Sequence, residues 1–325
     1  MNADTPAITV VIEWENVLLS GDARSEMMLQ RLAQQICSLD RSVEVVVVCD
    51  PAGVGVTALE TLLTQHLGRA DAAPFGWRLV TAPGAHYYEF KNRGAAEARA
   101  PLIVLIDSDV IPEEGWLAAL VELFADPAVH VVAGHSYIDA KGLYSRAMAL
   151  GWFFPRRSEI PTRHDRGTHF FANNVAFRTE LLRAHPFLCA TDGATRGACV
   201  ALAKELGRQG IRIWVTTAAQ VSHPPPNGLR HFLVRAVADG RDEMLQWCQV
   251  GERRRSKPPL PVFRRYFKVS RRAFRSITRH RHTVSLGLEQ VPLACAIIGV
   301  FYGLACVSAL ATWVAPEPMS RRFRI

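Results

Sequence analysis

Residues 102–116 read LIVLIDSDVIPEEGW: five aliphatic side chains, an Asp-Ser-Asp triplet, then Pro112 and Trp116. An unbroken aliphatic run of this length fits a strand buried on both faces, because a strand with one wet face would alternate apolar and polar residues. Two carboxylates one residue apart at the end of such a strand repel, and they need a cation or hydrogen-bond donors between them. A divalent metal meets that need, since hard, oxygen-ligated Mg2+ or Mn2+ uses one or two carboxylates together with substrate phosphates. Asp107 and Asp109 are therefore candidate metal ligands.

The same pattern recurs on either side. Residues 8–12, 43–49, 78–81 and 129–133 are further short runs rich in β-branched residues, and residues 27–38, 57–66 and 116–124 carry helical spacing between them. Strand and helix in alternation predict an α/β layer, a mainly parallel sheet flanked by helices. Ligands of such sheets bind beyond the carboxyl ends of the strands. Glu13 and Asp50 stand at those ends, as Asp107 and Asp109 do, so three strands finish in carboxylates. After residue 133 the spacing predicts a strand within 170–177, a helix over 199–209 and a strand over 211–215 that leads to Val221-Ser222-His223.

Pro224-Pro225-Pro226-Asn227-Gly228 then marks a boundary, and the chain divides into expected regions 1–225, 226–285 and 286–325. Residues 229–250 carry a helical apolar stripe. The formal charge of +8 arises in the adjoining segment: residues 253–282 hold twelve of the 38 Lys and Arg and no acid, leaving 26 basic against 30 acidic residues elsewhere. A nucleic-acid enzyme spreads its basic residues over a binding face, whereas one basic block ahead of an apolar run points to a membrane surface and to no nucleic-acid partner. Phe263, Phe267, Phe274 and Ile277 fall near one face of that block, giving a basic amphipathic helix suited to anionic headgroups.

The apolar run is residues 291–314, 24 residues without a charge. As a helix it would reach roughly 36 Å against a hydrocarbon core of about 30 Å, enough for a C-terminal transmembrane helix. Basic residues number twelve before it and three after it (Arg321, Arg322, Arg324), so the positive-inside rule predicts a single-pass protein with its bulk on the cytoplasmic face of the cell membrane. Gly299 and Gly303 give the GxxxG spacing of a homodimer of such spans. The first apolar run, residues 8–12, is too short for a signal sequence. With 49% hydrophobic residues the chain has ample material for a core, and its seven cysteines form no CxxC pair, as reduced thiols would not. The eleven histidines contain no HExxH, which argues against a zinc protease.

Over about residues 8–223 the order of these segments resembles family 2 glycosyltransferases of the GT-A fold. Residues 7–16 stand where that family's first strand enters the nucleotide pocket, and residues 44–50 where its second strand ends in Asp. Lys91-Asn92-Arg93-Gly94-Ala95-Ala96-Glu97-Ala98-Arg99 is similar to its Asn-x-Gly-x-Ala-x-Ala-Arg stretch, and residues 102–116 to its LDSDDxxxPxxW run. Phe171-Ala172-Asn173-Asn174-Val175-Ala176-Phe177-Arg178 resembles the acceptor-side G-x-N-x-A-x-R strand, and Val221-Ser222-His223 the closing V-x-H segment.

The resemblance implies inverting sugar transfer from a nucleotide diphosphate sugar, UDP- or GDP-linked, to a lipid-linked or polysaccharide acceptor. It further implies that Glu13 and Asp50 hold base and ribose, and that Lys91, Asn92, Arg93 and Gly94 belong with Asp107 to the nucleotide site, Lys91, Arg93 or Arg99 offsetting phosphate charge. Mn2+ or Mg2+ would sit on Asp107, Asp109 and His223. Two places depart from the family. Ile12-Glu13-Trp14-Glu15-Asn16 replaces its Pro-Thr-Tyr-Asn-like turn, and the position of the catalytic carboxylates, counted back from Gly210, falls on Ala198 and Cys199. The nearest substitute for the catalytic base is Asp192 in Ala190-Thr191-Asp192-Gly193. Two other functions compete. Gly53-Val54-Gly55-Val56-Thr57-Ala58 fits the GxGxxA of an NAD(P)-dependent oxidoreductase, and loss of the base would leave a non-catalytic, membrane-associated nucleotide-sugar-binding protein.

Overall fold

The computed structural model describes residues 6–68, 75–189, 197–249 and 258–322. In chain order the elements are β1 (Ile8–Glu13), α1 (Val17–Ser20), α2 (Asp22–Cys37), β2 (Val43–Cys49), α3 (Val56–Leu67), β3 (Phe75–Thr81), α4 (Tyr87–Glu97), β4 (Leu102–Asp107) and β5 (Ile111–Pro112). Then come α5 (Trp116–Val121), β6 (Val131–Ile138), α6 (Leu143–Gly151), β7 (Arg163–Gly167), β8 (Asn174–Arg178), α7 (Thr179–Ala184), α8 (Ala198–Arg208) and β9 (Ile213–His223). The chain continues as α9 (Gly228–Gln249), α10 (Leu260–His280), α11 (Val291–Val314) and α12 (Pro316–Arg322).

The strands form one sheet in the order β3-β2-β1-β4-β8-β6-β9-β5, with β7 paired to β9. The first four are parallel, as the alternating pattern predicts. Beyond β4 the sheet continues antiparallel through β8 and β6, and the β5 and β7 pairings with β9 are also antiparallel. The all-aliphatic strands are explained by two cores. Val10, Ile12, Val45, Val47, Val104 and Ile106 face α2, α3 and α5 on one side, while Val11, Val46, Ile103, Leu105 and Val175 face α4 and α8 on the other. Strands covered on both faces have no position for a polar side chain to reach water.

Two compact units divide the chain. The first comprises residues 6–137, 157–189 and 198–223 and contains nearly all of the sheet; the second comprises residues 138–156, 197 and 224–322. Residues 224–249 and 258–322 thus fall with residues 138–156 in one helical unit. The reason is close packing around α11. A Cβ on Gly151 of α6 would lie 2.5 Å from Ile298, and one on Gly240 of α9 would lie 1.9 Å from the Ala305 carbonyl, so only glycine lets these backbones approach. The Tyr302 hydroxyl donates to the Gly151 carbonyl at 2.9 Å, and the Ser308 hydroxyl to the Val237 carbonyl at 2.6 Å. The glycines of the expected dimer motif do not share an open face: a Cβ on Gly299 would rest 3.7 Å from Phe274 of α10, and one on Gly303 would meet nothing.

Candidate active site at the carboxyl edge of the sheet

Parallel pairing aligns the strand ends. Glu13 stands opposite both Val48 and Asp107, so β1, β2 and β4 deliver Glu13, Asp50 and Asp107 to one edge. Glu13 is fully buried and accepts from the Glu15 amide at 2.8 Å, the Asn16 side-chain amide at 2.9 Å and the Ser108 amide at 3.4 Å. It thereby ties the turn after β1 to the Asp-Ser-Asp turn. Burial, reinforced by the negative Asp107 beside it, holds the Glu13 carboxyl well above the usual glutamate range, and burial raises Glu15 as well.

Asp107 is 2% exposed and is neutralised from within the protein. Lys91, itself fully buried, places Nζ 2.6 Å from Oδ1; the Tyr87 hydroxyl lies 2.9 Å from both oxygens; and the Asn16 side-chain amide donates at 3.2 Å. Tyr87 and Lys91 stand at i and i+4 on α4, so both reach the same carboxylate from one helix face. Burial and then Asp107 push the Tyr87 phenol well above its ordinary value, fixing it as a donor.

Asp109 follows in the tight turn that the Val110 amide closes on the Asp107 carbonyl. Its own carbonyl accepts from Arg24 Nε, and the same guanidinium donates to the Ser222 carbonyl at 2.7 Å and the Ser222 hydroxyl at 3.1 Å. Ser222 also pairs with Ile111 across β5 and β9. One arginine and two strand residues thus bring the Asp109 turn beside the end of β9, where His223 is 8% exposed. Arg24 and Tyr87 have no place in the motif reading. Arg24 is the first basic residue of the chain and carries only a weak signal, whereas the Tyr87–Lys91 spacing ahead of the β4 strand is a readable one.

Several expected ligands have other work. Lys91 pairs with Asp107. Asn92 is locked to the 187–189 segment, accepting from the Phe187 amide at 2.9 Å and donating to the Phe187 carbonyl at 2.8 Å. Arg93 forms an exposed ion pair with Glu97, and Arg99 contacts Glu44 at the amino end of the sheet, away from the carboxylate edge. Gly94 is a packing glycine: a Cβ there would lie 2.3 Å from Val11 Cγ1, so α4 can press onto β1. Gly94→Ala is expected to cost about 1–3 kcal/mol through overpacking, read as a lower denaturant midpoint. Asp50 serves its own turn, accepting from the Ala52 amide at 2.9 Å and the Gly84 amide at 3.3 Å, while remaining at the edge.

Trp116 and Asn174, both within the family-like motifs, form a buried clasp. The indole donates to Asn174 Oδ1 at 2.8 Å, and the Asn174 amide donates to the Ala219 carbonyl at 3.0 Å, joining α5, β8 and β9. Asp192 lies outside the described residues. The helix that follows it does reach the site: the Tyr88 hydroxyl contacts Cys199 Sγ at 3.4 Å in the first turn of α8, one residue along α4 from the tyrosine on Asp107. The glycines of the dinucleotide fingerprint show neither the backbone conformation nor the close approach that would require glycine. Gly53 and Gly55 have no left-handed φ, and a Cβ at either would make only ordinary contacts.

Residues 72–185 match the family described as glycosyl transferase family 2, a stretch that takes in α4, β4, the Asp-Ser-Asp turn and β8. No curated protein sequence is similar enough to match. Among solved structures the chain is similar to the mannosyltransferase PcManGT from Pyrobaculum calidifontis in complex with GDP-Man and Mn2+, at 16% identity and a TM-score of 0.55, over 96% of this chain and 88% of that one. It is also similar to GalNAc-T7 with UDP, GalNAc and Mn2+, at 12% identity and a TM-score of 0.47, over 70% of this chain and 44% of that one. At 16% identity the likeness to PcManGT speaks for the fold alone.

Proposed function

We propose that this chain is a metal-dependent glycosyltransferase that moves a sugar, with inversion, from a UDP- or GDP-linked donor to a lipid-linked or polysaccharide acceptor at the cytoplasmic face of a membrane. The observation that carries this reading is the gathering of strand-end carboxylates at one edge of the sheet: Asp107 is held there by Lys91, Tyr87 and Asn16, and the Asp109 turn is brought beside the end of β9, where His223 stands. Support comes also from the family match and from PcManGT, whose structure holds GDP-Man and Mn2+.

The residues fit a divalent ion. Asp109 and His223 supply a carboxylate and an imidazole, and the Ser108 hydroxyl between the two aspartates is buried without a hydrogen-bond partner. Among the described residues no three His, Cys, Asp or Glu side chains form a metal-holding group, so the remaining coordination would fall to diphosphate oxygens, as is usual for Mg2+ and Mn2+. A bound ion there supplies charge neutralisation for the departing diphosphate. Arg24 holds the turn that presents Asp109, and Glu13 holds it from the other side through the Ser108 amide. Asp192, a few residues ahead of α8, is the proposed base for the acceptor hydroxyl.

Unfolding measured against a panel of nucleotides tests the reading. UDP or GDP with Mn2+ at a hundred times its Kd is expected to add about 2.7 kcal/mol of stability, and EDTA to remove that gain. Stabilisation by no nucleoside diphosphate with either metal would refute it, and stabilisation by NAD(P)H instead would favour the dehydrogenase. Binding without turnover of any nucleotide sugar would leave the non-catalytic binder.

A further inference from the structure

The membrane part of that reading leaves open how the helical unit meets lipid, and α10 gives the answer. This helix carries seven exposed Lys and Arg side chains and no acid. It meets α11 near residues 299–302, where Phe274 lies against Gly299 and the Tyr266 and Tyr302 rings are 6.4 Å apart. That is the middle of α11, which runs from 291 to 314. If α11 crossed a bilayer, the basic helix would lie at mid-depth, where each charge costs about 2.5–3.5 kcal/mol on insertion scales. Beside α11 also runs α9, with its fully buried Arg241 paired to Asp242 at 2.7 Å.

The exposed face of α11 suggests another arrangement. Leu293, Val300, Val307, Leu310 and Val314 are all 47–72% exposed, while Ile298, Phe301, Ala305 and Ala309 on the opposite side are buried. Positions 293, 300, 307 and 314 recur every seven residues, so one apolar stripe runs the whole length of the helix. The stripe lies on the side of α11 turned away from its packing partners, so it is the side open to acyl chains, and the depth of the basic α10 beside it decides between a span and an in-plane helix. Phe267 and Phe274 of α10 are also exposed, among Lys268, Arg271 and Arg275.

We infer that α10 and α11 form a monotopic face that embeds in one leaflet of an anionic bilayer, with the α11 stripe and the two phenylalanines among the acyl chains and the basic residues of α10 at the phosphates. This rests on the membrane reading above and replaces the single span that hydropathy alone suggests. The occupant is lipid, because a second copy docked on this face would bring two all-basic helices together.

The 325-residue chain carrying one epitope ahead of Met1 and another after Ile325 is mixed with preformed, sealed vesicles of phosphatidylcholine, with or without about 30 mol % phosphatidylglycerol. The expected result is flotation with the anionic vesicles and loss of both epitopes to external protease. Phe267→Ser with Arg271→Glu, both exposed positions, is expected to lower the bound fraction about tenfold with an unchanged unfolding midpoint. In membranes isolated from cells, epitopes on opposite sides would establish a span and overturn the in-plane arrangement while leaving membrane attachment standing. No flotation would overturn both, and a dimer in solution would then assign the stripe to a second copy. Unaltered binding by the double variant would overturn the assignment of α10.

Discussion

Asp109→Ala is expected to reduce metal-dependent transfer by about a thousandfold, which corresponds to about 4 kcal/mol of lost transition-state stabilisation. The size follows from where the charge goes. In the proposed reaction, departure of a nucleoside diphosphate would concentrate negative charge at the edge where β1 and β4 end, and Asp107 would not replace Asp109 as a ligand because Lys91, Tyr87 and Asn16 already engage it. Arg24 donates to the backbone carbonyl of residue 109, a contact that alanine keeps, so denaturant unfolding of the variant is measured alongside its activity. Two measurements belong together: turnover of a nucleotide sugar with Mn2+, and stabilisation by Mn2+ with UDP or GDP. Wild-type turnover with loss of neither would remove Asp109 from the metal site.

Lys91→Met is the second large effect, and it falls on stability. Lys91 is completely buried and Asp107 nearly so, at 2.6 Å. Deleting the cation strands a carboxylate where water cannot solvate it, a change that costs about 3–5 kcal/mol. Denaturant unfolding should show a lower midpoint at unchanged slope. Pairing Lys91→Met with Asp107→Asn should recover much of the loss, because the two substitutions are coupled through one contact. A single Lys91→Met variant as stable as the parent would mean that the ion pair is not formed in solution.

These two predictions mark where sequence reading succeeds and where it stops. The parallel strands β1, β2 and β4 are legible because they are buried on both faces, which leaves mainly aliphatic runs with a carboxylate at the end of each. Asp107 and Asp109 stood out for the same reason. The antiparallel half was less so: β7, Arg163–Gly167, is a polar and largely exposed strand with no periodic signal, and α6 joins the helical unit through glycines whose importance depends on what they face. The Lys91–Gly94 stretch illustrates the limit most clearly. A family motif can identify the segment, but only packing shows that Lys91 answers Asp107, Asn92 fastens a neighbouring segment and Gly94 yields space to Val11. Arg24 escaped because hydrogen bonds to carbonyl oxygens place no demand on the identity of the residues that own them.

The adjacent tyrosines of α4 carry a geometric consequence. Tyr87 leans on Asp107 and Tyr88 on Cys199, so a single turn of helix serves as a caliper between the strand end that would face the donor and the helix start that would face the acceptor. Its jaws are set by covalent helix geometry. Any shift of that turn would therefore dislodge both ends at once.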